Sequence, residues 1–349
     1  MAPTSAAKLP TWQKAQPTPW QAFWRDPATV VARWLYSKRK QHVLSAPQAQ
    51  AGLSRIQPLS IVCISDTHNA QPQVPDGDVL LHTGDLTNGG SFAEIQAQLA
   101  WLQSLPHRHK VVIGGNHDLL LDSTFAERHP DRIPDDSCGD GTSLADLEWG
   151  DLIYLNDRSV TLELPVPAPA SPASPASPSS FSHTITPEAR TLLIYGAPWT
   201  EQCGVFAFQY PPVRERVWAD RIPDNTDIVM VHGPPKGYCD MGGKGCPQLL
   251  REIRRAQPAL AVFGHIHGGY GQEDMIHSHV EAAYSAIELG DRGLLGVAAL
   301  LGWLLWDTLF GWLPPHKKVK RTRLVNAALM IGLGADGRPD LRAPVVVQL

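Results

Sequence analysis

The sequence predicts an α/β fold, because strand-like apolar runs alternate with helical patterns along most of the chain. Five runs rich in Val, Ile and Leu have the length of strands, and each passes directly into a polar cluster. Their apolar character is continuous rather than alternating, which indicates strands covered on both faces. The runs are residues 59–65, 79–83, 110–113, 227–231 and 260–263.

Two helices are predicted between these strands. Ser91 and Glu94 have the spacing of a capping box that opens a helix running to about Leu105, with an apolar stripe formed by Phe92, Ile95, Leu99 and Leu102. Pro247 suits the first turn of a second helix, with Leu249, Leu250 and Ile253 facing inward. Sheets flanked by helices bind ligands at the carboxyl ends of their strands, where all five polar clusters lie.

Three segments look like additions to the α/β domain. Residues 1–55 form an aromatic and basic N-terminal extension, and residues 56–349 form the domain itself. Residues 165–180 are a Pro, Ala and Ser tract with too few large apolar side chains to pack, so we expect a disordered loop. Residues 272–321 contain the longest apolar stretch and predict an inserted apolar helical segment.

Charge and cysteine content limit the partner and the compartment. The formal net charge is −4 and no long basic run is present, so we expect no nucleic-acid-binding surface. The five cysteines form no CxxC pair, which favours a reducing compartment. Cys239 and Cys246 offer half of a zinc site, although scattered thiols are more often ordinary core or surface residues. Because the N-terminus lacks the apolar region of a secretory signal, we expect a cytoplasmic protein.

The polar clusters predict a metal site. They supply two carboxylates, one amide oxygen and four imidazoles, from Asp66, His68, Asp85, Asn116, His232, His265 and His267. This mixture of oxygen and nitrogen donors suits divalent cations, with manganese the first choice and iron, zinc, nickel or magnesium as alternatives, and it lacks the thiolates of a structural zinc site. Asp85, by its central position, is expected to bridge two cations.

Such a pair of cations predicts hydrolytic chemistry. A single strong Lewis-acid ion lowers the pKa of water from about 15.7 to roughly 7, and the resulting hydroxide can attack phosphorus in line. The cations also neutralise charge on the non-bridging oxygens. His117, beside Asn116 but not needed as a ligand, is the candidate acid for the leaving alkoxide. Asp118 either orients that imidazole and sets its charge, or caps the following turn.

Any one of these clusters, taken alone, has residues that are common in turns after strands. In this order, and with GNHD at 115–118 and GHIH at 264–267, the five clusters resemble the calcineurin-like metallophosphoesterase superfamily. YGAPWT at 195–200, HGPP at 232–235 and VNAA at 325–328 resemble its branch of metallophosphoesterase-domain-containing proteins. The resemblance covers residues 56–162, 190–273 and 322–349.

The resemblance implies a two-sheet α/β sandwich flanked by helices, with a dinuclear metal centre. It implies that one metal takes Asp66, His68, Asp85 and His267. It implies that the other takes Asp85, Asn116, His232 and His265. Every ligand position of the motif is filled, which favours a working metallophosphoesterase.

The expected substrate is a small-molecule phosphoester. A phosphodiester, cyclic nucleotides included, is the first choice because the related branch is similar to phosphodiesterases. A phosphomonoester or phosphoprotein phosphatase is the alternative. A membrane-surface scaffold with a structural metal site is a third hypothesis, based on the apolar additions.

The stretch 294–313 raises the question of membrane contact. As a 20-residue helix it would reach about 30 Å, enough for a bilayer core. Residues 325–333 resemble a strand of the sheet that carries His265, so a single crossing would separate two parts of one sheet. We therefore expect an interfacial helix or a re-entrant hairpin, with peripheral membrane contact through 272–321 and 20–40. The alternative is that both segments pack on each other and cover the sheet.

Overall fold

The computed structural model describes residues 18–38, 58–134, 143–165, 189–214, 216–310, 319–334 and 336–349. The chain divides into two compact units. The helical unit is Met1–Ala49 with His277–Val319, and the α/β unit is Gln50–Ile276 with Lys320–Leu349. Most of the predicted Pro/Ala/Ser loop, together with residues 1–17 and 39–55 of the predicted extension, lies outside the described residues.

The helices and strands of the described residues are as follows. The helices are α1 (Pro19–Arg25), α2 (Pro27–Ser37), α3 (Phe92–Ser104), α4 (Ser123–Arg128), α5 (Pro247–Ala256), α6 (His279–Glu288) and α7 (Leu294–Phe310). The strands are β1 (Ser60–Ile64), β2 (Val79–Thr83), β3 (His109–Ile113), β4 (Ile153–Tyr154), β5 (Arg158–Pro165), β6 (Ala189–Ala197), β7 (Thr200–Glu201), β8 (Gln209–Tyr210), β9 (Ile228–Val231), β10 (Leu260–Phe263), β11 (Gly271–Ile276), β12 (Arg321–Asn326), β13 (Met330–Leu333), β14 (Pro339–Leu341) and β15 (Val345–Gln348).

Two mixed sheets form the α/β unit. The first has the order β15-β1-β2-β3-β4, with β1 to β4 parallel and β15 antiparallel. The second has the order β11-β12-β10-β9-β6-β5, in which the four inner strands are parallel and the two edge strands antiparallel. The five predicted strands are β1, β2, β3, β9 and β10, so the predicted α/β fold is confirmed.

The two faces of these strands pack against different parts of the α/β unit. In β1, Ile61 and Cys63 face the second sheet and join one core cluster with residues of β9 and β10. The alternate residues Val62 and Ile64 face the other way and pack with α3. Because both faces are covered, the strands read as continuous apolar runs, and the two sheets pack face to face as a sandwich.

Helix α3 begins with the predicted capping box. The Ser91 hydroxyl accepts a hydrogen bond from the Glu94 amide at 3.2 Å, and the Glu94 carboxylate accepts one from the Ser91 amide at 3.1 Å. Ile95, Leu99 and Leu102 are fully buried on the inner face of the helix. The predicted stripe is therefore the face that covers the first sheet.

The boundaries of the predicted apolar insertion differ from those of the structure. Residues 271–276 form β11, an edge strand whose Gln272, Glu273 and Asp274 are exposed, and therefore look polar and irregular in the sequence. The strand expected at 325–333 is two strands: β12 belongs to the second sheet, whereas β13 pairs with β14 in a separate ribbon. The inserted residues of the helical unit are therefore His277–Val319.

The helical unit has its own core and its own polar contacts. Side chains from α2, α6 and α7 share one cluster that includes Ala32, Ile287 and Leu300. The Arg33 guanidinium donates two hydrogen bonds of 2.8 Å to the Glu288 carboxylate. The N-terminal and inserted segments thus pack on each other, which is the first half of the alternative given above; that they also cover the sheet stays a prediction.

Helix α7 accounts for most of the apolar stretch 294–313. Its described part has 17 residues, Leu294–Phe310, and residues 311–313 of the expected helix lie outside the described residues. In the described part of the chain, no helix combines the length and the apolar character needed to cross a bilayer.

We expect Ser91→Ala to lower the free energy of unfolding by about 1 kcal/mol, because the Glu94 amide loses its capping acceptor. Urea titration followed by circular dichroism measures this change. Ser104→Ala, an exposed position in the last turn of the same helix, is the matched control and should change stability by no more than about 0.5 kcal/mol. Equal losses of stability in the two variants would show that the capping hydrogen bond does not cause the loss.

Candidate metal centre

The seven candidate ligands come together where the carboxyl ends of the strands of the two sheets meet. Asp66 and His68 follow β1, and Asp85 follows β2. Asn116 follows β3, whereas His232, His265 and His267 follow β9 and β10 of the other sheet. At the strand ends the backbone leaves the apolar core and reaches the edge that the two sheets share. The polar clusters lie at the strand ends because polar side chains are accommodated there.

One group of three ligands consists of Asp66, His68 and His267. Each residue offers an oxygen or nitrogen atom within 4.8 Å of the other two. His267 Nε2 lies 3.0 Å from Asp66 Oδ1 and 3.4 Å from His68 Nε2. These distances fit three donors that converge on one cation.

A second group consists of Asp85, His232 and His265, again with ligand atoms within 4.8 Å of one another. His232 Nε2 lies 3.3 Å from Asp85 Oδ2 and 3.0 Å from Asn116 Oδ1. The amide oxygen of Asn116 therefore lies beside this group as a fourth possible ligand atom.

Asp85 lies between the two groups. Its Oδ2 atom is 3.3 Å from His232 Nε2 in the second group and 3.8 Å from His68 Nε2 in the first. Its other oxygen, Oδ1, accepts a hydrogen bond of 2.8 Å from the His117 amide. The carboxylate is thus held in place by one oxygen while the other faces both groups.

The protonation of two histidines shows that this site fits cations. His68 Nδ1 lies 3.2 Å from the Thr87 carbonyl, and His232 Nδ1 lies 2.9 Å from the Thr83 carbonyl. A carbonyl only accepts, so each Nδ1 carries a hydrogen, and each ring presents a lone pair at Nε2 when it is neutral. For His232 that lone pair faces Asp85 and Asn116 oxygens, which are also acceptors. A cation between them satisfies all three, and such carbonyl-oriented imidazoles are typical of metal ligands.

The electrostatics of the carboxylates lead to the same conclusion. Burial opposes ionisation of Asp85, but the charges of His232 and His68 outweigh it and hold the pKa of this carboxyl far below its usual range. Burial likewise disfavours the charged form of His232, yet Asp85 raises the pKa of that imidazole to about 9. The carboxylates therefore attract positive charge into a buried site. A divalent cation supplies such charge without protonating the imidazoles.

The backbone is strained at several ligands. Asp66, His68, Asp85 and His265 have φ values of 53°, 45°, 53° and 64°, in the left-handed region that side chains rarely adopt. Each such residue costs about 1–3 kcal/mol and persists where the surrounding structure imposes it. The sequence shows no sign of this strain, and its occurrence at four of the seven candidate ligands is consistent with a functional site.

Two glycines allow the loops to approach the ligands. A Cβ atom at Gly264 would lie 2.0 Å from Asp66 Oδ2, and one at Gly115 would lie 2.3 Å from Asp85 Oδ1. Contacts this short are impossible, so only glycine permits either loop to pass so close to a carboxylate.

His117 stands at the edge of the two groups, and its ring packs 5.0 Å from that of His68 and 4.9 Å from that of Phe206. His117 Nδ1 lies 2.9 Å from the Asn88 carbonyl and therefore carries a hydrogen. The orienting partner of this imidazole is the Asn88 backbone. No sequence pattern indicated that contact.

Asp118 does not supply the orientation that was one of its two expected roles. Its carboxylate is fully buried and accepts hydrogen bonds from the amides of Leu86, Thr87 and Gly115 and from the Thr87 hydroxyl. Burial, together with the charge of Asp85, raises its pKa to about 6. The side chain does not cap the following turn either, since it makes no capping hydrogen bond there. Instead, Asp118 ties the loops after β2 and β3 together.

Asn326 is a further residue of the site that the ligand pattern does not include. It is fully buried, and its Nδ2 atom donates hydrogen bonds of 3.0 Å to the carbonyls of Cys239 and Ile266. Ile266 lies between His265 and His267, so Asn326 fixes the loop that carries both. The VNAA motif at 325–328 was the only signal for it.

Three comparisons place the chain among known proteins. The family model for calcineurin-like phosphoesterases matches residues 59–269. Metallophosphoesterase domain-containing protein 1 of Homo sapiens is 36% identical over 220 residues, covering 60% of this chain and 61% of that protein. A UPF0046 protein of Caenorhabditis elegans is 33% identical over 223 residues, covering 60% of this chain and 69% of that protein.

A longer match is to a protein with an unrelated name. The protein "Probable rhamnogalacturonate lyase C" of Emericella nidulans is 34% identical over 316 residues, or 90% of this chain, but the match spans only 26% of that protein. The chain therefore spans less than two thirds of both the fungal and the human protein. Among solved structures, that of TT1561 of Thermus thermophilus gives a TM-score of 0.35 at 13% identity, covering 62% of this chain and 84% of that one.

We expect Gly264→Ala to lower the affinity for manganese by at least about tenfold, because the new methyl group displaces the Asp66 carboxylate. Isothermal titration calorimetry of the metal-free protein measures the affinity. Gly302→Ala is the matched control, since a Cβ atom there meets nothing within 4 Å. Unchanged binding in Gly264→Ala would contradict the placement of Asp66 in the site.

Proposed function

The chain belongs to the calcineurin-like phosphoesterase family, and from that premise we propose that it is a metal-dependent phosphoester hydrolase with a dinuclear centre. One observation carries the proposal: the Asp85 carboxylate faces two separate groups of ligand atoms at once. A single cation needs only one such group, whereas a carboxylate that faces two groups can bridge two neighbouring cations.

The proposed ligands divide between two cations. Asp66, His68 and His267 hold the first, and Asn116, His232 and His265 hold the second, with Asp85 shared. Manganese is our first choice; iron, zinc and nickel suit the same imidazole and carboxylate donors, and magnesium, which prefers oxygen donors, is a further alternative. When bound, the cations supply Lewis-acid polarisation of the phosphoryl oxygens and of water.

The charges of the site favour a phosphate group. Asp66 and Asp85 contribute two negative charges, and the imidazoles are neutral when they act as ligands. Two divalent cations therefore leave the site with an excess of two positive charges, before any further anion binds. A phosphoester is attracted to that excess, and the low exposure of both carboxylates limits its screening by water.

His117 is the proposed proton donor. The Asn88 carbonyl fixes the hydrogen on Nδ1, so Nε2 is the atom that can exchange a proton with substrate. Phe206 packs against the same ring and limits its rotation. In the imidazolium form, the ring would donate its Nε2 proton to the leaving alkoxide oxygen as the bond from that oxygen to phosphorus breaks and the oxygen of water bonds to phosphorus; the ring would be left neutral.

We propose a phosphodiester as the substrate, with a phosphomonoester or phosphoprotein as the alternative. The apolar side chains beside the site support the diester. Phe206 lies beside His117, and the Met241 side chain lies against Gly268, the residue after the ligand His267. A phosphodiester carries two organic groups that such side chains can contact.

A reducing compartment such as the cytosol is also part of the proposal. Cys63, Cys203, Cys239 and Cys246 are free thiols, and three of them are buried. Buried free thiols support a compartment in which disulfides do not form.

We expect Asp85→Asn to abolish manganese-dependent hydrolysis of bis(p-nitrophenyl) phosphate, because the neutral amide cannot bridge two cations. Release of p-nitrophenolate measures the rate. Hydrolysis of p-nitrophenyl phosphate, assayed in parallel, should be slower if the substrate class is a diester. Equal diester rates in the parent protein and in Asp85→Asn would remove the dinuclear proposal.

We expect His117→Ala to lower kcat by about 10²–10⁴-fold with an alkyl leaving group, which needs a proton, and much less with p-nitrophenolate, which does not. Metal content should stay unchanged, and elemental analysis measures it. His129→Ala, a half-buried histidine outside the ligand groups, is the matched control and should leave both rates unchanged. Loss of metal in His117→Ala would identify this histidine as a ligand instead of an acid.

A further inference from the structure

Helix α7 has two apolar faces, of which the helical unit buries only one. Val297, Leu300 and Leu304 recur at a spacing of three and four residues and pack into the cluster shared with α2 and α6. On the opposite side, Leu295, Ala298, Gly302 and Trp306 recur at the same spacing and are exposed. We call this second set the outer stripe of α7.

The outer stripe exposes large side chains. Leu295 is 86% exposed and Trp306 is 56% exposed. On a surface helix of a soluble protein the face opposite the core is polar, and only Asp307 and Thr308 interrupt the apolar character of α7. An exposed face of this kind marks a binding surface.

The helical unit is basic although the chain is acidic. Its sequence contains ten Lys and Arg residues against five Asp and Glu residues, a net charge of +5, whereas the whole chain has −4. The α/β unit therefore carries −9. Such asymmetry within one chain indicates an acidic partner for the basic part.

Most of the acidic side chains named below already have a hydrogen-bond or ion-pair partner inside the helical unit. Glu288 pairs with Arg33, and Glu281 accepts a hydrogen bond of 2.5 Å from the Tyr36 hydroxyl. The Asp26 carboxylate caps α2 through the Thr29 amide. Arg25, Lys38 and Arg292 are exposed, and make no ion pair within the ranges that the structure describes.

A groove between α6 and α7 also combines apolar side chains with a basic one. Its volume is about 230 Å³, and its lining is mostly small and apolar, with Ala282, Ala286, Ala299 and Trp303 among the lining residues. Arg292 lines the groove as well and precedes the first turn of α7. A cation beside an apolar groove suits a molecule with an anionic head and an apolar chain.

We propose that the helical unit docks on the surface of an anionic phospholipid bilayer, with α7 lying in the interface and its outer stripe facing the acyl chains. In the sequence α7 lies between β11 and β12, which are neighbours in one sheet, so a single crossing of the bilayer would separate two paired strands. This connection suits a helix that lies on a membrane. A second copy of the chain is a poorer occupant, because two units of charge +5 repel each other.

Vesicle flotation of the full-length protein tests this docking surface. The probes are vesicles of phosphatidylcholine with and without phosphatidylserine. The protein should float with the anionic vesicles, and high salt should reduce the floating fraction because it screens the basic residues. We expect the double variant Leu295→Glu with Trp306→Glu to lower the partition coefficient at least about tenfold, since two apolar anchors become charged.

The matched control places the same change on the other unit. Val213→Glu with Leu333→Glu substitutes side chains that are 84% and 75% exposed in the α/β unit, and should leave flotation unchanged. Circular dichroism confirms that both variants are folded. A parent protein that stays at the bottom of the gradient, or equal losses in both double variants, would overturn the proposal. Sedimentation that shows a dimer abolished by the helix variant, without flotation, would assign the stripe to a second copy.

Discussion

Two buried carboxylates, Asp66 and Asp85, impose the main constraint on this structure. An ionised carboxylate without water needs positive charge and hydrogen-bond donors, and the cost of leaving it without them is several kcal/mol. The chain meets this need with amides of the loops, which donate to one or both oxygens of each carboxylate, and with imidazoles that converge from two sheets. The glycines beside these carboxylates and the left-handed backbone at four ligands follow from the same requirement.

Much of the fold can be predicted from the sequence, because strands buried on both faces leave a continuous apolar run and end where polar residues begin. For the same reason, strand ends identify the side chains that the structure brings together. Strand β11 was not predicted, because most of its residues are polar and its partner, β12, is far away in the sequence. The Asn88 carbonyl that orients His117 was not predicted either, since a backbone contact leaves no pattern of residue types. Asp118 has the residue type of a catalytic partner, but only the coordinates show its hydrogen bonds going to the loops.

The helical unit illustrates how a sheet tolerates a long insertion. The chain leaves the second sheet at the end of β11 and returns as β12, its neighbour, so the inserted residues connect adjacent strands without breaking the sheet. Residues far away in sequence complete the unit, since Arg33 and Tyr36 of α2 contact Glu288 and Glu281 of α6. The insertion therefore adds a second apolar core without interrupting the pairing of β11 with β12.

Anomalous diffraction from crystals of the manganese-loaded protein tests the central claim most directly. We expect two peaks about 3.5–4 Å apart, with one Asp85 oxygen between them and the two histidine groups on either side. A single peak, or two peaks that do not share Asp85, would contradict the dinuclear centre. The chemistry proposed here would then have no site.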